Sequence, residues 1–232
     1  MSEPISNPFA TRFVAPGNLA WVPPGPQADL GTLQRRLKSL DYRAAIVGPH
    51  GTGKSTLLEH LVGPIGPVVL RLDHHGEIVR QSASHEMPGT VWLVLRRGRK
   101  QNFGRSTWRP GGLLVLDGYE QLSYPERCWI VLETRLRRMG LLVTSHRPVC
   151  LSTLVTTSVS AGAMRLVVRQ AAVQAGVAFD ALPEVGEGRL EALLKHHGGN
   201  AREAMMQLYD EFAASKNNWS GSKIGQAFQS CE

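Results

Sequence analysis

The chain has 232 residues, enough to bury a substantial core in one domain, or in one domain with a small appendage. Hydrophobic residues make up 42% and charged residues 19%, a balance that indicates a folded globular protein and argues against a disordered or fibrous one. No apolar run approaches the ~20 residues that cross a bilayer, and the first ten residues lack the features of a signal peptide. We therefore expect a cytoplasmic protein with no membrane insertion.

The cysteines do not suggest a disulfide framework or a metal site. Cys128, Cys150 and Cys231 are odd in number, and no two stand at the short spacings that metal sites use. We expect all three to be reduced.

Positive charge is in excess, with a formal net charge of +7, and it is clustered. A basic patch can bind nucleic acid or an acidic partner, although arginine-rich surface helices without such a role are common. Nucleic acid is therefore one of two kinds of partner considered below, the other being a protein. The clusters comprise Arg96, Arg97, Arg99, Lys100, Arg105 and Arg109, and then Arg135, Arg137 and Arg138.

Hydrophobic periodicity predicts an α/β core between a proline-rich arm and a set of helices. Apolar strands alternate with helical segments, which favours a mainly parallel sheet sandwiched by helices. The predicted domains are an extended arm (1–29), the core (30–158), a helical lid-like subdomain (159–214) and a flexible tail (215–232). Strands are predicted at 43–47, 67–72, 113–116, 141–143 and 154–157, and helices at 30–40, 54–62, 124–138, 161–175, 189–196 and 201–213.

The segment between residues 73 and 110 stays open at this point. Its first four residues, Asp-His-His-Gly, could turn a hairpin. Residues 90–95 could form a strand or a buried helix, because periodicity does not separate short apolar runs.

The strongest chemical pattern is GPHGTGKS at residues 48–55, which follows a predicted strand and opens a predicted helix. Glycines permit positive φ and let backbone N–H groups close around phosphate oxygens. In this Walker A pattern Lys54 reaches the outer phosphates and the Ser55 hydroxyl binds Mg²⁺. The pattern predicts binding of ATP and Mg²⁺ by Gly48, Pro49, His50, Gly51, Thr52, Gly53, Lys54, Ser55 and Thr56.

A second pattern is the apolar strand that ends in Asp117, about sixty residues further on. It resembles a Walker B element, in which this carboxylate holds magnesium through water. Many related ATPases that have an additional strand between the two Walker strands carry a catalytic glutamate directly after the aspartate, but Gly118 stands there. Glu120 is the nearest carboxylate that could polarise a water, and it could equally start the following helix, where acids favour the dipole.

A third pattern is the predicted strand at 141–143, which runs into polar residues. The polar tip Thr144, Ser145 and His146 resembles the sensor 1 position of AAA+ ATPases or the histidine switch of transporter-type ATPases. Ser145 and His146 are the preferred candidates, and ordinary turn chemistry before Pro148 is the alternative.

The late helical segment carries a fourth pattern, GGNARE at residues 198–203. It is similar to the start of the sensor 2 helix in AAA+ lids, where Asn200 caps the helix and Arg202 reports the phosphate state. The alternative is a capped helix with a solvated arginine.

Together these four patterns make residues 30–214 resemble a compact AAA+-type P-loop ATPase. The resemblance implies a P-loop fold with a small helical lid and hydrolysis that involves Lys54, Asp117, Glu120, Ser145, His146 and Arg202. It also implies that a homo-oligomer is possible, in which Arg135, Arg137 or Arg138 lies where ring-forming relatives often place an arginine finger.

Three functions are compatible with these residues. The first is an AAA+-like ATPase or ATP-driven switch that acts with a protein or nucleic-acid partner. The second is a small-molecule or nucleotide kinase, in which mobile arginines clamp the transferred phosphate. The third is a non-hydrolysing ATP-sensing module, which the lack of a glutamate directly after Asp117 favours.

Overall fold

The structure of the chain is a computed structural model. It describes residues 7–15, 18–62, 68–72, 78–83, 89–95, 103, 105–179, 182 and 184–228. The basic residues at 96–100 and Cys231, both singled out above, lie outside the described residues.

A mainly parallel sheet forms the centre of the fold, in the order β3-β2-β4-β5-β6-β1-β7. All pairs between neighbouring strands are parallel except β2–β3, which is antiparallel. The predicted α/β class is therefore confirmed. The strands are β1 (Arg43–Val47), β2 (Val68–Leu72), β3 (Ile78–Ala83), β4 (Thr90–Val94), β5 (Leu113–Asp117), β6 (Gly140–Ser145) and β7 (Ser152–Thr156).

The strand order places β6 between β1 and β5. Register partners Val47 and Ser145 stand at the carboxyl ends of β1 and β6, and Leu116 pairs with Val143. Parallel strands put their carboxyl ends at one edge of the sheet, where ligands of open α/β sheets usually bind. The residues that follow β1, β5 and β6 therefore meet at this edge.

The helices agree with the predicted positions over most of the chain. The first, α1, was not predicted. They are α1 (Thr11–Val14), α2 (Leu30–Ser39), α3 (Lys54–Val62), α4 (Tyr124–Leu136), α5 (Ala161–Gln174), α6 (Glu187–His196) and α7 (Ala201–Phe228), with 3₁₀ turns at Pro26–Ala28, Arg105–Thr107 and Tyr119–Gln121.

The chain divides into two compact units. The larger unit comprises Pro23–Pro49 and Gly53–Ser158 and contains the sheet with α2, α3 and α4. Its core is built from apolar strand residues such as Val91, Leu114 and Leu141, which pack with Ile130 of α4. These side chains are at least 99% buried, as expected for parallel strands covered on both faces.

The smaller unit comprises Met1–Val22, His50–Thr52 and Val159–Glu232. Its core is made by one face each of α5, α6 and α7, including Val168, Leu190 and Leu208. Phe9 is buried in the same cluster, with its ring edge-on to Phe212 at 6.4 Å between centroids. None of the helices among the described residues is long and apolar enough to span a membrane.

The two ends of the chain differ from the prediction of an extended arm and a flexible tail. The first segment forms α1 and a 3₁₀ turn, and Phe9 packs into the helical core because an aromatic side chain buries a large apolar area. At the other end, α7 continues as helix to Phe228, since no proline between residues 201 and 228 removes a backbone donor.

The structure shows the conformation of part of the segment 73–110, which the sequence analysis left open. Residues 90–94 form β4, a buried strand that pairs with both β2 and β5. The antiparallel pairing of β2 with β3 agrees with the suggested hairpin. The Asp-His-His-Gly turn itself lies outside the described residues.

Candidate functional site

The glycine-rich segment 48–55 leaves the carboxyl end of β1 and leads into α3. Gly48 N–H donates to Ser145 O at 3.1 Å, which ties the start of this loop to the end of β6. Gly51 and Gly53 have φ values of +70° and +83°, a region that side chains with a Cβ disfavour. The glycines thus stand where the loop turns, and α3 begins directly afterwards at Lys54.

Lys54 is folded back onto its own loop. Its Nζ donates to Gly48 O at 2.7 Å and to Pro49 O at 2.6 Å, and the residue is only 8% exposed. Burial lowers the pKa of the Lys54 amino group, and the negative charges of Glu120 and Asp117 partly offset this effect. An ammonium group has three N–H donors, so the carbonyl contacts leave one for another acceptor. Ser55 and Thr56, which follow in α3, are half-buried.

Asp117 is held by Thr144, which the sequence analysis considered at the tip of β6 but did not prefer. Thr144 Oγ1 donates to Asp117 Oδ1 at 2.6 Å and accepts from Gly118 N–H at 2.8 Å. Thr144 is 1% exposed, whereas Asp117 is partly exposed. The contact between them fixes the orientation of the carboxylate and joins the ends of β5 and β6.

Gly118, which follows Asp117 directly, has a backbone conformation that residues with a side chain disfavour. Its φ is +93°, and a Cβ built there would lie 3.3 Å from Leu95 O. Any L side chain at this position is strained, so a glutamate there would conflict with the backbone. The chain then forms the 3₁₀ turn Tyr119–Gln121, which carries Glu120.

Glu120 lies beside His146, which the sequence separates from it by 26 positions. Glu120 Oε1 is 3.3 Å from His146 Nε2 and accepts from Gln121 Nε2 at 3.4 Å. Glu120 Oε2 is buried and has no hydrogen-bond partner among the described residues. A buried carboxylate oxygen without a donor is costly, which makes it a candidate for binding a ligand or water.

The helix-start role considered for Glu120 belongs to another acid. Ser123 caps α4, and Glu126 completes its capping box by accepting from Ser123 N–H at 2.8 Å. Glu120 lies on the preceding 3₁₀ turn, outside the first turn of α4. Its carboxylate is therefore not used to cap a helix.

Ser145 and His146 have different environments, although both were selected from the same strand tip. Ser145 is 2% exposed, and its Oγ accepts from Arg147 N–H at 3.4 Å. That contact is typical of a polar strand end that leads into a turn. His146 instead makes a direct side-chain contact with Glu120, so the structure brings together Asp117, Thr144, Glu120 and His146.

In the smaller unit, Asn200 caps α7 as predicted. Its Oδ1 accepts from Arg202 N–H at 3.2 Å and from Glu203 N–H at 3.4 Å. The same unit contains His50–Thr52, and an ideal Cβ on Gly51 would overlap Asn200 Oδ1 and approach Arg202 N to 2.9 Å. The tip of the glycine loop therefore lies against the first turn of α7. The Arg202 side chain is exposed.

The second arginine cluster does not lie entirely on a helix. Arg135 is in the last turn of α4, whereas Arg137 and Arg138 follow its end at Leu136, and Arg138 has a φ of +54°. Arg137 donates to Glu133 Oε1 at 2.9 Å, and Arg105 donates to the same oxygen at 2.7 Å. In this cluster Arg137 thus pairs with Glu133, which Arg105 of the first cluster also contacts, whereas Arg135 and Arg138 are exposed.

Among the described residues, no three His, Cys, Asp or Glu side chains cluster closely enough to hold a metal by themselves. Magnesium usually keeps several waters and binds through one or two protein oxygens together with substrate phosphates. Ser55 and Asp117 are the protein oxygens that the sequence pattern selects for that role.

Comparison with known proteins adds no family assignment. No protein-family model matches the chain, and no curated protein matches its sequence.

Proposed function

We propose that the chain is a P-loop, AAA+-like protein that binds ATP with Mg²⁺ and hydrolyses it, acting as an ATPase or ATP-driven switch with a protein or nucleic-acid partner. The observation that carries the proposal is the placement of Lys54. Its amino group is held by the carbonyls of its own glycine loop and is electrostatically coupled to Asp117 and Glu120. One cation and two carboxylates beside a loop of positive-φ glycines form a suitable site for an anionic ligand with a divalent cation.

Lys54 would exchange its contacts with Gly48 O and Pro49 O for phosphate oxygens. The exchange replaces neutral acceptors by charged ones, which adds the attraction between opposite charges to hydrogen bonds that already have an ionised donor. The N–H groups of the loop and of the first turn of α3 would add further donors. Ser55 and Asp117 would hold the magnesium ion, and Thr144 would keep the Asp117 carboxylate in place.

Glu120 is the proposed proton acceptor. Bound ATP supplies a phosphoanhydride whose terminal phosphoryl group can be transferred to water. Glu120 Oε2 is a buried acceptor that has no donor among the described residues, and it would take the proton of the attacking water. His146, which contacts the other oxygen, would orient the carboxylate. A carboxylate in this arrangement favours hydrolysis over simple sensing.

Nucleotide binding and phosphate release by the purified full chain test the proposal. The variants are Lys54→Ala, Asp117→Asn and Glu120→Gln, with Lys38→Ala and Glu191→Gln as matched controls at exposed positions on α2 and α6. We expect Lys54→Ala to abolish ATP binding and Glu120→Gln to retain binding but lose at least ~100-fold in turnover, within the range of general base catalysis. The controls should behave like the wild type.

The alternatives give different results in the same experiment. ATP binding with no phosphate release by the wild type would contradict the ATPase and favour an ATP sensor or a kinase that lacks its acceptor. Equal turnover in Glu120→Gln and wild type would exclude Glu120 as the proton acceptor. Stimulation of turnover by added DNA would identify nucleic acid as the partner and leave a protein partner unsupported.

A further inference from the structure

Glu120 stands on a short turn that has little support of its own. The 3₁₀ turn Tyr119–Gln121 is held by Gln121 N–H to Gly118 O at 2.9 Å and by Leu122 N–H to Tyr119 O at 3.2 Å. 3₁₀ turns have poorer hydrogen-bond geometry than α-helices and are therefore short. The position of the Glu120 carboxylate thus depends on contacts from outside the turn.

Arg127, in α4, provides those contacts. Its Nη2 donates to Glu120 O at 2.9 Å, and its Nε donates to Leu122 O at 2.9 Å. The guanidinium carbon lies 5.6 Å from the centre of the Tyr119 ring, and Tyr119 OH donates to Arg127 O at 3.4 Å. One side chain therefore contacts three successive parts of the segment that carries Glu120.

The fork shape of the guanidinium is what makes this arrangement possible. Two N–H groups in one plane reach two carbonyls that belong to different peptide units, and the flat face can stack on an aromatic ring. A lysine ammonium is a compact point charge without that fixed geometry. Tyr119 is fully buried, so the ring that Arg127 faces is packed within the core. Burial also raises the pKa of Tyr119 to about 12, and its hydroxyl stays a donor near neutral pH.

We propose that Arg127 is a positioning residue, which fixes the Glu120 carboxylate beside His146 by holding the backbone of the turn. The proposal rests on the proposed function of Glu120 as proton acceptor. The contacts of Arg127 with this segment are to backbone carbonyls and to the Tyr119 ring, so it acts through Glu120. A carboxylate misplaced by about 1 Å can cost a hundredfold in rate while the substrate still binds.

The kinetic test compares Arg127→Lys and Arg127→Ala with the wild type and with Arg35→Lys, a control at an exposed arginine of α2. We expect kcat to fall at least ~10-fold in both Arg127 variants, with less than a ~3-fold change in ATP affinity. In a Glu120→Gln background Arg127→Lys should cause no further loss, because both changes act on one group. A parallel loss of affinity and kcat, or independent losses in the double variant, would overturn the proposal.

A second measurement does not need turnover, so it separates failure of this proposal from failure of the proposed function. The ring ¹⁵N signals of His146 report the neighbouring carboxylate, and Glu120→Gln should shift them. Arg127→Lys should shift them in the same direction while the protein remains folded, whether or not ATP is hydrolysed. Unchanged His146 signals in Arg127→Lys and Arg127→Ala, with Glu120→Gln shifted, would show that Arg127 does not position Glu120.

Discussion

Replacing Thr144 by valine tests the contact that joins β5 to β6. Valine preserves the shape and strand preference of threonine but removes the hydroxyl that donates to Asp117 Oδ1 and accepts from Gly118 N–H. An N–H group left without an acceptor costs about 1–3 kcal/mol, and a hydrogen bond to a charged group contributes about 1.5–3 kcal/mol. Asp117 is partly exposed, so water can replace part of the hydrogen bond that its carboxylate loses. We therefore expect Thr144→Val to lower the free energy of unfolding by about 2–4 kcal/mol.

The matched variant is Thr144→Ser, which keeps the hydroxyl and deletes one methyl group. That deletion costs about 1 kcal/mol in a buried position. Urea unfolding of both variants, followed by circular dichroism and tryptophan fluorescence, gives the difference between them. A valine variant at least as stable as the serine variant would refute the reasoning, because the hydroxyl contacts would then contribute nothing.

Three further outcomes follow from individual contacts. Gly140→Ala should destabilise the chain by about 1–3 kcal/mol in urea unfolding, since the added Cβ would lie 2.7 Å from Tyr42 Cβ; a loss below about 0.5 kcal/mol would contradict this packing. Hydrogen bonds from two arginines lower the pKa of Glu133. The stabilisation by this group is therefore complete above the unfolded pKa and is lost as the pH falls through the folded pKa. Glu133→Gln should be less stable than the wild type at pH 7, and the difference should shrink as the pH is lowered through the folded pKa; a constant difference would exclude that linkage. Gly51→Ala should lower the thermal midpoint of unfolding, because the added methyl group overlaps the Asn200 side chain. Adding Asn200→Ala to this variant should recover part of the loss, since it removes the overlapping side chain. Losses in the double variant that equal the sum of the two single losses would argue against the contact.

The helices and strands nearest the site were predictable to within a residue or two. The bounds of β1 and α3 coincide with the prediction, because an apolar run, a glycine loop and a helical repeat of leucines each have a distinct local pattern. β4 was ambiguous because the six-residue apolar run at 90–95 fits a strand and a buried helix equally. Only pairing with β2 and β5 determines its conformation.

The contacts within the site were not predictable, although most of its residues were. Thr144 and Asp117 meet because β5 and β6 are neighbours in one register, and sequence spacing does not reveal strand order. Glu120 and His146 meet for the same reason. Of the three polar residues at the tip of β6, the alternation of the strand decides which one faces Asp117, and that register is a property of the assembled sheet.

The partners of β1 in the sheet also determine when the glycine loop can acquire its conformation. β1 pairs with β6 and β7, and its register partners Arg43 and Leu141 lie ~100 residues apart in sequence. Contacts between such distant segments form late, because a long intervening chain must first be ordered. Gly48 also needs Ser145 O as its acceptor. A nascent chain that ends after β5 would thus contain all of GPHGTGKS without the neighbouring strand that fixes it, so the loop matures only once β6 has been synthesised and inserted.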